Sequence, residues 1–233
     1  MKIAKLPCFV CLFFFTFPIW AQVNPSSCGP IAGPHVGPWD YRPDHYVGEF
    51  GDQSSHAEKR AIVEGAHFLR RTELLIGGKH AAGIGAAGDD LNYTLHAFPN
   101  HHRALMSVMR YWERVKSDKP DGLKYTVECY FERATRFKPD DAIARMLYAT
   151  YLTKSNRVPE AVAQLEISTV VAKDNAFTHY NIGLVYFDMK NYGKALAQAH
   201  RAQALGFERT ELRELLKGVK QWQELVGETK PQQ

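Results

Sequence analysis

After residue 21 the sequence lacks any apolar run long enough to cross a bilayer. It also lacks a strong excess of either charge. Without Lys2 and Lys5, 27 of the 29 basic side chains remain against 25 acidic ones. No basic run carries interleaved aromatics, so the footprint of a nucleic-acid binder is missing. G-x-S-x-G, H-E-x-x-H and the P-loop signature are absent. That removes the motif-borne hydrolase, zinc-protease and nucleotide-hydrolase readings. Cysteine is scarce, with four in 233 residues.

What is there begins with a targeting segment. Residues 1–21 read as a signal peptide, with Lys2 and Lys5 at a basic end and an uncharged apolar run from Leu6 to Trp20. Cleavage after Ala21 would leave Gln22 first; Ile19 meets the small-residue rule only in part. An uncleaved anchor is the alternative. The expectation is an exported protein, periplasmic or secreted, with no membrane span after cleavage. Cys8 and Cys11 leave with the segment, so their C-x-x-C spacing is not a redox motif. Cys28 and Cys129 remain, and two cysteines in an oxidising compartment most economically pair. Two separate thiols are the alternative.

Residues 22–66 are expected to form an arm. Pro25, Pro30, Pro34, Pro38 and Pro43 alternate with Gly29, Gly33 and Gly37, which break any regular element. Trp39, Tyr41, Tyr46, Val47 and Phe50 argue that the arm packs on the body, against a disordered tether. A helical stripe (Ile62, Val63, Ala66, Phe68, Leu69) is interrupted at Gly65, so a helix is expected to begin near His67. Residues 67–100 then read as an irregular helical hairpin with a glycine-rich loop. That loop contains G-x-G-x-x-G at Gly83, Gly85 and Gly88. A dinucleotide fold needs a strand before those glycines and a second strand after the helix. None follows, so the reading is a flexible loop. Asp89 or Asp90 is expected to cap a short helix through Phe98.

Helices follow over His101–Val115 and Leu123–Phe137, closed by Pro139, with Asp140-Asp141 capping the next. Residues 142–175 and 176–209 then superpose without a gap at a 34-residue period. Ala149 falls on Gly183, Leu152 on Tyr186, Ala161 on Ala195, Leu165 on Ala199 and Ser168 on Ala202. A stretched third copy, 101–141, keeps Phe131, Ala134 and Pro139. A last helix, from Glu211 to about Leu225 within 210–226, covers the end of the array, and 227–233 reads as a disordered tail.

This pattern resembles the tetratricopeptide repeat family, whose motif runs W-x2-L-G-x2-Y, then A-x3-F, then P. Ile182-Gly183-x2-Tyr186 and Ala195 match it; His179 and Arg145 stand at the tryptophan position, Ala199 and Leu165 at the phenylalanine. The resemblance implies an all-α superhelix of three to four helix pairs plus a capping helix. It implies a concave groove that holds an extended peptide or a partner helix. By the same resemblance, Arg110, Met146, Thr150, Lys154, Tyr180, Asn181, Leu184 and Asp188 are the candidates exposed in that groove. Arg110 and Lys154 would bind carboxylates, Asn181 a ligand's main chain, and Tyr180 a flat apolar surface. The alternative makes Tyr180 and Leu184 packing residues and Lys154 a solvated turn residue.

Histidines supply the rival reading. His67, His80, His96, His101 and His102 cluster in sequence, with Asp89 and Asp90 as further oxygen ligands. Adjacent His101 and His102 point apart on a helix, which weakens a metal site. The expectation is a non-catalytic scaffold for a protein partner, with no cofactor. A metal- or small-molecule-binding protein using the 67–102 region is the alternative, and an enzyme without a recognisable motif is the third.

Overall fold

A computed structural model describes residues 28–32, 36–42 and 56–224. The signal-like segment 1–21, the arm residues Tyr46, Val47 and Phe50, and the tail 227–233 lie outside the described residues. The chain folds into α1 (His56–His67), α2 (Arg70–Glu73), α3 (Ile84–Ala97), α4 (His102–Val115), α5 (Val127–Phe137), α6 (Ala142–Lys154), α7 (Val158–Val171), α8 (Ala176–Asp188), α9 (Tyr192–Ala204) and α10 (Glu211–Gly218). Among the described residues there is no strand, only an isolated bridge between Gly77 and Ala82. The fold is all-helical, and helices adjacent in sequence pack together.

Side-chain caps explain where several helices start. Thr126, Asp141, Asn175 and Asn191 each accept a hydrogen bond from a backbone N–H of the first turn they precede. α6 and α8 start 34 residues apart, as do α7 and α9. Both first helices end the same way, with Asn156 and Lys190 in the left-handed region at φ 59°.

Small residues set the spacing inside each pair. Ala149, Ala161, Ala195 and Ala202 are buried beside Leu152, Leu165, Ile182 and Tyr186. α6 packs on α7 and α8 on α9, while α4, α6 and α8 lie side by side. A Cβ at Gly183 would stand 2.5 Å from Leu212 Cδ2 and 3.2 Å from Gln198 Cβ, so this position lets α10 close over α8 and α9. His179 fills the site beside it, with Nδ1 2.7 Å from Gln198 Oε1 and Nε2 2.7 Å from the Lys173 carbonyl. Glu128 on α5 ties the preceding pair to the next: it accepts from Tyr148 on α6 (2.8 Å) and from Arg157 ahead of α7 (2.7 Å).

Several boundaries differ from the sequence expectation. The helix expected to begin near His67 ends there instead; α1 runs through Gly65, which is exposed, while Val63 faces inward. A glycine in an exposed helix interior costs only about 1 kcal/mol, less than burying Val63 returns. Asp89 and Asp90 do not cap a helix. α3 starts at Gly83, whose φ is 101°, and Asp90 is buried inside it. The final helix stops at Gly218 rather than near Leu225, which lies outside the described residues; Lys220, at φ 58°, turns the chain away.

Within the glycine motif it is Gly88 that packing requires. Gly85 and Gly88 lie within α3, where the α4–α5 loop crosses it. A Cβ on Gly88 would collide with the Asp121 carbonyl, and one on Gly122 with the Gly85 carbonyl and the Asp89 amide. Tyr111 seals the crossing by donating to the Asp121 carbonyl at 3.0 Å.

Candidate functional site

The expected site residues divide between a stripe across three helices and the core. Arg110 is exposed on α4, Met146 and Thr150 are half-buried on α6, and Asn181 and Leu184 are half-buried on α8. These helices pack in the order α4, α6, α8, so the stripe crosses them as one face. Helical spacing makes it: Met146–Thr150–Lys154 and Asn181–Leu184–Asp188 are three or four residues apart. Met106, one turn before Arg110, and Phe177, 54% exposed one turn before Asn181, extend it. Both were missed in the sequence reading, although the same i, i+4 spacing points to them.

Three expected roles change. Tyr180 is not exposed: it is 3% accessible, packs on Phe207 at 4.8 Å, and its hydroxyl donates to Glu211 at 3.3 Å. The α10 segment reaches it because the chain folds back after α9, a return that local spacing does not encode. Lys154 is not an open cation; its ammonium lies 2.5 Å from Glu113. It also acts on Asp188, where burial pushes the carboxyl up and Lys154 pulls it down. Lys154 is thus paired with Glu113, and Asp188 stands within reach of its charge at this end of the stripe. Asn181 already donates to the Phe177 carbonyl at 2.7 Å, and Thr150 to the Met146 carbonyl at 3.0 Å. The face therefore offers mainly Met106, Met146, Leu184 and Phe177 as apolar contacts, flanked by Arg110 and the acidic end.

Behind this face the arm is fastened to the body. Cys28 and Cys129 form a disulfide. One turn further along α5, Arg133 donates to the carbonyls of Cys28 (3.2 Å) and Pro30 (2.5 Å), and Arg136 donates to that of Gly29 (2.7 Å). Residues 129, 133 and 136 share one side of α5, so one helix face grips the arm's backbone. Further along the arm, Trp39 donates its amide to the Ala97 carbonyl at 2.8 Å and packs on Phe98 at 5.5 Å.

The arm then enters a buried polar junction. Asn100 accepts from the Tyr41 amide (2.9 Å) and donates to Asp40 (2.7 Å) and Asp141 (2.8 Å). Arg42 bridges Asp40 at 2.7 Å and Asp140 at 3.1 Å. His102 Nε2 lies 2.9 Å from Asp141. Burial alone would raise the Asp40 carboxyl, but hydrogen bonds from Arg42 and Asn100 outweigh it and hold it well below the usual carboxylate range. Asp141 is lowered too: burial opposes, and His102 prevails. His101 stacks on Tyr41 at 4.0 Å. Its Nδ1 accepts the Ala104 amide, so Nε2 carries the proton toward Glu64 at 3.0 Å. Burial lowers its pKa despite Glu64.

The histidines of the rival reading are dispersed among these tasks. His67 pairs with Asp90 at 2.7 Å, His96 with the Asn92 carbonyl at 2.7 Å, and His101 and His102 belong to the junction; His80 is exposed. Among the described residues no group of three or more His, Cys, Asp or Glu is placed to hold a metal ion. No helix among them is long and apolar enough to cross a membrane. No protein-family profile matches the chain, and no curated protein matches it.

Proposed function

We propose that this protein is an exported, non-catalytic scaffold of the tetratricopeptide kind, which holds an extended peptide or a partner helix across α4, α6 and α8. The reading rests on one observation. Two helix pairs recur at a 34-residue interval, and the first helix of each presents a half-exposed stripe in line with that of α4. Stacked pairs of this kind leave a continuous concave surface along their first helices. Its apolar middle, Met146 and Leu184, suits side chains spaced along an extended or helical partner. Its acidic end, where Glu113 and Asp188 outnumber Lys154, suits a basic side chain there. Export is supported by the signal-like residues 1–21 and by the disulfide, which persists in an oxidising compartment such as the periplasm.

The test is photo-crosslinking in the cell from a reactive amino acid at position 146 or 184, with position 170 on α7 as the control. Val170 is 76% exposed, so it reports random encounters. A groove partner gives the same adduct from 146 and 184, none from 170, and loses it when Glu113 and Asp188 are both neutralised. Equal adducts from all three positions would sink the reading.

A further inference from the structure

The turn that closes α2 holds two apolar side chains in solvent. Leu74 is 48% exposed and Ile76 59%, on either side of a buried Leu75. The backbone explains the alternation. Leu75 takes the left-handed conformation at φ 59°; its amide donates to the Thr72 carbonyl (3.0 Å), and the Ile76 amide donates to that of Arg71 (2.9 Å). This is the Schellman ending of a helix, in which the residue after the left-handed one ordinarily packs on an apolar residue of the last turn. Here that place in the last turn belongs to Arg71, which is exposed, so Ile76 gains no cover from it. The turn is also fixed from outside. Ser107 on α4 donates to the Glu73 carbonyl at 3.2 Å, and the Gly83 amide donates to that of Ile76 at 3.0 Å.

Guanidinium groups surround the two side chains. Arg114 reaches from α4 to the Leu75 carbonyl at 3.4 Å. Arg71 donates to the carbonyls of Gly78 and Ala81. Both spend hydrogen bonds on neutral backbone, which leaves their charges in place. Arg70, one turn before Leu74, is exposed. The carboxylate of α2, Glu73, is held by Arg103 at 2.6 Å. Among the described residues no carboxylate stands at ion-pair distance from Arg70, Arg71 or Arg114. The described residues on either side of 43–55 lie elsewhere. Tyr41 stacks on His101 at the start of α4 (4.0 Å), and Arg60 of α1 sits over the same Tyr41 ring (5.7 Å). Arg114 is about 20 Å further along α4 at the helical rise per residue.

We infer that this turn docks the protein on an anionic phospholipid surface. Leu74 and Ile76 enter the boundary between headgroups and acyl chains, and Arg70, Arg71 and Arg114 meet the phosphates. Attachment of this kind draws on both buried apolar area and attraction to anionic lipid, and the turn supplies both. A nucleic acid would use the arginines and leave two aliphatic side chains in water. An uncharged apolar surface would leave three charges unmet. The turn shares no residue with the groove stripe and stands or falls separately from it.

Co-sedimentation with vesicles is the test, on the oxidised protein after removal of residues 1–21, whose apolar run would bind lipid by itself. Vesicles of phosphatidylcholine with phosphatidylglycerol are compared with phosphatidylcholine alone. The protein is expected on the anionic vesicles only, and less tightly as salt rises. Arg70→Ala is expected to weaken binding about fivefold, the scale of one cation at such a surface. Leu74→Ser combined with Ile76→Ser weakens it more than about tenfold, since both aliphatic contacts go. Val170→Glu, at an exposed position on α7, leaves it unchanged. Far-ultraviolet circular dichroism of each variant confirms that the fold is retained. The inference is overturned by no binding to anionic vesicles, by equal binding to neutral ones, or by a serine pair that binds like the original. It is overturned equally if duplex DNA binds as tightly as the vesicles and ignores the serine pair, which would make the turn a polyanion site.

Discussion

From Ala142 to Ala204 the helices hold one another by contact: alanines opposite leucines, isoleucine and tyrosine, with one short turn per pair. From Cys28 to Asp141 the fastening is of another kind. A disulfide, two guanidinium groups on α5 and a buried junction of Asp40, Arg42, Asn100 and Asp141 bind an arm to a helix and to loop ends that lie far away in the chain. The regular half is built from local contacts repeated at a fixed period. The irregular half depends on groups that meet only after folding. Among the described residues the arm is held against α5 and against the loops that carry Ala97, Asn100 and Asp140.

The comparison breaks most readily at the disulfide. It closes a separation of 101 residues, and Cys28→Ser with Cys129→Ser is expected to cost about 4 kcal/mol. Urea unfolding of oxidised and variant protein measures this. Asp40→Asn comes next, at about 3 kcal/mol, because Arg42 loses a buried partner. Asp40, Asp140 and Asp141 are all held below the ordinary aspartate value of 3.8. Their contribution is therefore complete above that value and is lost as the pH falls below it. Unfolding followed from neutral pH down to about pH 3 should show this loss, and it should be smaller in Asp40→Asn.

A pair of glycines sharpens the contrast between packing and sequence motif. Gly88→Ala is expected to cost about 2 kcal/mol, since its Cβ meets the Asp121 backbone. Gly85→Ala is expected to gain up to about 1 kcal/mol, since its Cβ finds ordinary contact at 3.7 Å within a helix. A phosphate-cradling loop would treat both glycines alike. The smallest effect belongs to the open face: Met146→Glu and Leu184→Glu should each alter stability by about 0.5 kcal/mol in a melting experiment while removing the groove adduct.

The two halves were also unequally legible in the sequence. The period of 34 is written in the spacing of Ala149, Gly183, Ala161 and Ala195, because each helix pair repeats the same contacts. Cys28 and Cys129 were readable as a pair because so few cysteines remain. Trp39 and Tyr41 announced a packed arm, but the partners of Asp40 and Arg42 did not, because hydrogen bonds across sixty or a hundred residues leave no local pattern. Asn100-His101-His102 and Asp140-Asp141, polar runs at two loop ends, were the available signal. On the open face, helical spacing located Met146 and Leu184. It misplaced Tyr180, whose burial depends on the return of α10, and it left Lys154 unpaired because Glu113 lies on another helix.

Hydrogen exchange read segment by segment, on oxidised and reduced protein, tests the division most directly. Reduction should release protection in α5 and in the 97–102 loop and leave α8 and α9 unchanged. Uniform loss across all helices, or no change in α5, would contradict it.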